Sequence, residues 1–516
     1  MAHRQYSAGR QLEVAIALFP FSLAIAQPLR ITLVRIFTSV GGSGRTSATP
    51  QISAAVQPLI QSKKGNGMET LELLRAGKLA GTQRLDLSCG LTEIPPEVFE
   101  LADSLEVLDL SKNQLNALPE DIKVLKKLRV IFLNSNQFDH FPAVLTQCPN
   151  LSMISLRSNQ IKQIEEEALS PQIRWLILTD NQLEALPTSI GKLGNLQKFM
   201  LAGNRLRSLP ESIANCHSLE LLRIAANQLE AFPEYLLTLP RLTWLAYSGN
   251  PFCKTFRGDS LNSSSCSNSL SLVPWASLEV GEILGQGASG VISKGIWNDP
   301  ETAKDVAVKL FKGSLTSDGF PADEMQACIA AGSHENLISS IGKITDHPEQ
   351  KEGLLLPFIP PSYEKLGYPP DLDTCTRDTY LPDAVFKIST ILHIARGIAA
   401  AANHLHEKGV MHGDLYPHNI LFDAKGTSYL GDFGAASLYD RTQKTIATSF
   451  ERMEVRAFGC MLEDLLDRCI PEATPTFEAT LNQLRRMQQR CMSMVMGDRP
   501  LFTELLTEIH TLLENQ

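Results

Sequence analysis

From Thr82 to Pro251 the chain holds to one period, and that constrains its fold more than any other feature of the 516 residues. The unit reads L-x-x-L-x-L-x-x-N-x-L. Its first apolar position falls at Leu105, Leu128, Leu151, Ile173, Leu196, Leu219 and Leu242, in steps of 23, 23, 22, 23, 23 and 23 residues. A degenerate unit precedes them around Leu85, Leu87 and Leu91. A unit this short cannot bury its own apolar side, so neighbours must stack. The inward leucines of each short strand, such as Leu108 and Leu110, then pack on those of the next unit. Asn113, Asn136, Asn159, Asn181, Asn204, Asn227 and Asn250 recur just after the strand, where an amide can satisfy backbone groups along the turn. Most units close on an L-P or F-P step, at Pro119, Pro142, Pro187, Pro210 and Pro233, each of which ends the extended segment.

These eight units resemble leucine-rich repeats, which implies a curved solenoid with a concave parallel sheet. Outward strand positions alternate with the buried leucines. One outward column holds Val107, Val130, Met153, Trp175, Lys198, Leu221 and Trp244, and the other Asp109, Phe132, Ser155, Ile177, Met200, Arg223 and Ala246. Phe132, Met153, Trp175, Ile177, Met200, Leu221 and Trp244 thus form an apolar stripe, expected to be exposed or half-exposed and to bind a protein partner or substrate. Partial burial of the flanking column by neighbouring strands is the alternative.

The length predicts roughly three domains. A net charge of -9 argues against a nucleic-acid partner held by overall charge. Ten cysteines with no C-x-x-C pair suggest neither a disulfide scaffold nor a zinc site. Residues 1–67 carry seven Lys or Arg against one acid, Glu13, and read as a basic targeting segment or an upstream extension ahead of Met68. The apolar run Val14 to Leu29 contains Pro20 and Pro28, so no stable membrane span is expected. Residues 68–253 hold the repeats with their lead-in, and residues 254–273, rich in Ser and Asn, read as a flexible linker. As a coil its ends would average on the order of 25 Å apart. With no apolar span between the halves, both are expected in one compartment, the cytoplasm or an organelle interior.

Residues 274–514 carry a second set of signals. Glycines at 285, 287 and 290 interrupt an alternating strand pattern, V-A-V-K follows at Val306 to Lys309, and His412 to Gly434 reads HGDLYPHNILFDAKGTSYLGDFG. In that order and spacing they resemble the protein kinase family, serine/threonine kinases in particular. The resemblance implies an α/β leucine-rich repeat solenoid followed by an α+β bilobal kinase-like domain. It implies ATP and Mg²⁺ as cofactors. Gly285, Gly287 and Gly290 would approach the phosphates, Val291 and Ala307 the adenine, and Lys309 the α- and β-phosphates. Glu324, or less favourably its neighbour Asp323, would pair with Lys309. Asp414 would orient the acceptor hydroxyl, and Asn419 with Asp432 would hold the metal. Leu354 to Ile359 would be the strand and hinge against the adenine edge. Glu454 stands where the family usually has an aspartate, and Arg499-Pro500 matches the family's closing signature.

Three departures bear on activity. The loop reads H-G-D and lacks the usual arginine. Tyr416 stands two residues after Asp414, where a lysine steadies the transferred phosphate, and a phenol brings no positive charge at neutral pH. Only 20 residues separate Gly434 from Glu454, with no A-P-E. The leading expectation is an ATP- and Mg²⁺-dependent kinase of serine or threonine, slowed by Tyr416, whose repeats recruit a substrate or regulator. A nucleotide-binding scaffold without turnover and a small-molecule kinase are the alternatives. A lysine restored at 416 should raise the rate if charge there is limiting.

Overall fold

A computed structural model describes residues 67–256, 270–287, 289–299, 302–313, 315–473 and 476–515. The readings of residues 1–66 and of the linker at 257–269 lie outside the described residues. After helix α1 (Gly67–Arg75), the repeats supply eight three-residue strands, β1 (Arg84–Asp86), β2 (Val107–Asp109), β3 (Val130–Phe132), β4 (Met153–Ser155), β5 (Trp175–Ile177), β6 (Lys198–Met200), β7 (Leu221–Arg223) and β8 (Trp244–Ala246). They form one parallel sheet in sequence order, with equivalent residues in register, as in Met200 beside Arg223.

The asparagine ladder explains why so short a strand is stable. Asn204 donates its amide to the Leu178 and Leu201 carbonyls at 2.9 Å each and accepts from the Leu183 N–H at 3.0 Å. One side chain thus ties two adjacent units and satisfies backbone groups that burial would otherwise orphan. Each closing proline precedes a short 3-10 turn on the convex side, as Pro119 does before Glu120–Val124 and Pro210 before Glu211–Asn215.

The second half is bilobal. Helix α2 (Cys253–Phe256) precedes strand β9 (Ser271–Pro274), so the end of the segment expected to be linker is a strand. It pairs in parallel with β13 (Gly342–Thr345), at the edge of a six-stranded sheet that also holds β10 (Leu278–Gln286), β11 (Gly290–Asn298), β12 (Ala303–Phe311) and β14 (Gly353–Pro357). Val306 and Val308 bury one face of β12 against Val273, Ile344 and Leu355, while alternation turns Ala307 and Lys309 to the other. Helix α3 (Pro321–Ala331) follows β12 and is joined to it by the Lys309–Glu324 ion pair. The second lobe is helical, with α4 (Ile388–Glu407) and α5 (Lys444–Leu466) buried at its centre and α6 (Phe477–Cys491) and α7 (Phe502–Glu514) against them. In α4, Ile388, Ile391, Leu392, Ala395, Ile398, Ala402 and Leu405 recur at helical spacing and are buried.

The concave sheet is not free. Phe132, Met153, Trp175, Ile177, Met200, Leu221 and Trp244 are all buried, in one apolar cluster with residues of the bilobal half. The expectation of an exposed partner stripe is therefore corrected: the chain's own second half occupies that face. Apolar side chains of both halves remove each other from water, and a tether is not what holds them together.

Candidate active site

Strand pairing builds the upper wall of the cleft. Lys309 stands opposite Ile292 on one side and Leu354 on the other. Its ammonium is buried and ion-paired with Glu324, while Asp323, one residue earlier on α3, is not the partner in that pair. Burial pulls the Lys309 pKa down, but Glu324 and Asp432 more than offset this and hold it above the ordinary lysine value. Ala307, Ile292, Ile338, Leu356, Ile359 and Leu421 line a narrow apolar cleft beside it, the place for a flat base. Val291, expected at the adenine, is not among them: it pairs with Leu310 and lies on the opposite face, whereas its neighbour Ile292 pairs with Lys309 and faces the cleft. The reason is the strict two-residue alternation of a strand, in which only residues in phase with Lys309 face the cleft. Gly285 pairs with Ile292, and the Gly287 N–H donates to the Gly290 carbonyl at 2.9 Å, closing the turn over the cleft. A Cβ on Gly290 would stand 2.5 Å from the Leu310 carbonyl, so no larger residue fits.

The lower wall is the loop from His412 to Gly434. The His412 ring is fully buried and lies 2.9 Å from the Gly431 carbonyl through Nε2. Burial pulls its pKa down, which favours a neutral structural ring. The Asn419 amide donates to the Asp414 carbonyl at 2.9 Å and to its Oδ2 at 3.0 Å. That leaves Asn419 Oδ1 buried with no partner among the described residues, an oxygen placed as a metal ligand needs to be. Asp432 adopts a left-handed backbone, φ +56°, with its Oδ1 accepting the Gly434 N–H at 3.1 Å. Burial pushes the Asp432 pKa up to about 6, against the opposing pull of Lys309. From α5, Glu454 accepts the Gly413 N–H at 2.6 Å and lies 2.8 Å from His406, anchoring the loop from below.

The repeats form the third wall. Arg223 of β7 is 2% exposed and spans both lobes. Its Nε donates to Asp318 at 2.7 Å, Nη1 to the Gly413 carbonyl at 3.1 Å, and Nη2 to Asp414 Oδ1. Burial pushes the Asp414 carboxyl up, but the Arg223 guanidinium, with His418 and the Asn419 amide, more than offsets it and holds the group below the usual range. Trp244 of β8 lies flat on Tyr416, with ring centroids 4.2 Å apart and planes at 9°, and its indole N–H donates to the Leu415 carbonyl at 3.2 Å. Burial holds the phenol protonated, and its hydroxyl has no partner among the described residues. Gly413, at φ +72°, would place a Cβ 2.5 Å from the Leu245 carbonyl of β8. Ala202, Ala225 and Ala246 pack on Ala435 beside the shortened segment, small residues that let the two backbones approach closely.

Arg223 and Trp244 are thus site residues whose roles the sequence left unread. Trp244 was expected to face a separate partner. Arg223 stood in the outward columns unremarked. The signal for it was its isolation, as the single cation of its column in a mostly apolar stripe.

Residues 278–460 match the family described as protein tyrosine and serine/threonine kinase, and residues 81–138 and 171–229 match leucine rich repeat. A Dictyostelium discoideum protein named as a probable serine/threonine-protein kinase is 23% identical over 47% of this chain and 19% of its own length. An Arabidopsis thaliana protein named as a probable LRR receptor-like serine/threonine-protein kinase is 29% identical over 36% of this chain and 32% of its own. An Oryza sativa protein named as a probable inactive leucine-rich repeat receptor kinase is 28% identical over 30% of this chain and 13% of its own. Each match thus spans less than a third of the relative's length.

Proposed function

We propose, for a chain that joins leucine-rich repeats to a protein kinase domain, that it transfers the γ-phosphoryl group of ATP to a serine or threonine hydroxyl. The observation that carries this reading is the joint assembly of donor and acceptor groups around one cleft. Lys309 is paired with Glu324, Asn419 Oδ1 is left without a partner, and Asp414 is tied to Asn419. Side chains without a task would not need a buried ion pair and an orphaned buried oxygen, each of which costs stability.

In this reading Lys309 binds the α- and β-phosphates, the backbone of the Gly285–Gly290 turn covers them, and Ile292, Ala307 and Leu421 hold the base. Asn419 and Asp432 would hold magnesium, which when bound neutralises charge across the phosphates. Asp414 accepts a hydrogen bond from the acceptor hydroxyl and orients it in line. The repeats are a wall of the enzyme, and recruitment of a partner, if any, falls to their remaining surface. Because the halves share a buried interface they share a compartment, which supports the cytoplasm or an organelle interior where ATP is present. Among the described residues no helix is long and apolar enough to cross a membrane.

The test is transfer of labelled γ-phosphate by the full chain with Mg²⁺, to itself and to generic protein substrates, with Asp432→Asn as the blank. Incorporation on serine or threonine above the blank is expected. Lys309→Met should lose ATP binding and transfer together, whereas Asp414→Asn should keep most ATP binding and lose turnover, because the carboxylate acts on the acceptor hydroxyl and an amide can still bond to Asn419. ATP binding without transfer to any acceptor would sink the reading in favour of a nucleotide-binding scaffold.

A further inference from the structure

We infer that Arg223, a residue of the repeats, is the cation of the acceptor side of the phosphotransfer site, so that the site is completed only across the two halves of the chain. The inference rests on the phosphotransfer reading above and adds to it a residue that the kinase-like half does not contain. Phosphoryl transfer needs fixed positive charge where negative charge is spread among phosphate oxygens, and such charge acts most strongly in a site walled off from water. On the nucleotide side Lys309 is present. On the acceptor side the catalytic loop offers Tyr416, neutral, 3% exposed and held between Trp244 and the His418 ring.

Arg223 stands at the complementary place. Among the described residues, its ion pair is the one that Asp414 makes. It approaches from β7, and Trp244, which covers Tyr416, comes from the adjoining strand β8. The substitution of tyrosine for a cation in the loop and the presence of a cation on the sheet therefore occur at one contact. An arginine suits the position, since a guanidinium stays charged when buried and has five N–H groups. Three of these go to Asp318, Gly413 and Asp414. These three partners do not use all of its N–H groups.

The Asp318 bond adds positioning. Asp318 lies in the connection between β12 and α3 in the upper lobe, and Gly413 and Asp414 lie in the lower, so one guanidinium sets the separation of the nucleotide and acceptor walls. At Gly319, beside Asp318, a Cβ would stand 3.1 Å from Ser248 Oγ and 3.2 Å from Ala225, so a glycine lets this connection lie close on the repeats. Lys198 is the neighbouring cation on the sheet. It lies 4.3 Å over the Trp175 ring and makes no ion pair among the described residues.

The experiment compares the full chain with Arg223→Gln and Arg223→Lys by γ-phosphate transfer, with ATP affinity read separately by a fluorescent nucleotide and folding by thermal unfolding. Arg223→Gln should lower kcat by about 10²–10³-fold, the loss seen when one fixed charge-stabilising donor is removed, and change ATP affinity far less, because Lys309 and Glu324 stay in place. Arg223→Lys should recover part of that loss. If the single variant is unstable because Asp318 loses its partner, the double variant Arg223→Gln with Asp318→Asn removes that charge and is scored in the same way. A folded Arg223→Gln chain with wild-type kcat overturns the assignment and leaves phosphotransfer standing. A rate that rises also overturns it and makes Arg223 a brake on Asp414. A wild-type chain silent against Asp432→Asn sinks phosphotransfer and this assignment together.

Discussion

Gly413 and Tyr416 look like damage to a kinase loop when the sequence is read alone, and both are explained by what lies against them. At Gly413 a side chain would meet the Leu245 carbonyl at 2.5 Å in a backbone that is already left-handed. Gly413→Ala should therefore cost about 1–2 kcal/mol from backbone conformation alone, and more from the clash. The measurement is the denaturant midpoint, and an unchanged value would mean that the strand is free to withdraw. Tyr416 is a stacking partner for Trp244, which reverses the expectation that a lysine there would help. Tyr416→Lys should lower stability by several kcal/mol, because an ammonium would be buried beside Arg223 without a carboxylate of its own. It should lower the transfer rate with it, and a stable, faster variant would refute this account.

At the scale of elements, the contact between β8 and α5 resembles a domain core more than a docking surface. Phe450 on α5 is fully buried, with its ring edge-on to Phe232 at 5.1 Å and stacked near Tyr247 at 5.4 Å. Tyr247 also donates its backbone N–H to Ser437 at 3.2 Å and its hydroxyl to the Leu438 carbonyl at 3.4 Å. The stretch after Gly434 is thus held in place by the last repeat, where a longer segment would have to hold itself. Phe450→Ala should cost about 3–5 kcal/mol, as for other buried aromatics. Both halves should lose stability together in that variant. Loss confined to the helical lobe, read by hydrogen exchange of the repeat strands, would argue for independent halves.

Two apolar cores of the molecule each draw on both halves, one joining the repeat leucines to Met411, Phe450 and Met453, the other joining the concave stripe to the helical lobe. The chain should accordingly unfold in a single calorimetric transition, and residues 270–516 made alone should aggregate, having lost the cover over Phe450, Tyr416 and Ala435. Two separated transitions would refute this. The sequence by itself determined the parts. A 23-residue period admits only a stacked solenoid, and the glycine turn, Lys309, Asp414, Asn419 and Asp432 follow local patterns set by backbone alternation and turn geometry. It was out by one residue at Val291, where a motif position was counted without the phase of the strand, and it took the concave stripe for a surface offered to another molecule. What only the tertiary structure decided is which surface covers that stripe. Burial is a property of pairs of surfaces, and periodicity reports one surface at a time. Arg223 and Asp414 stand 191 residues apart and meet only because the sheet and the catalytic loop exclude water from each other.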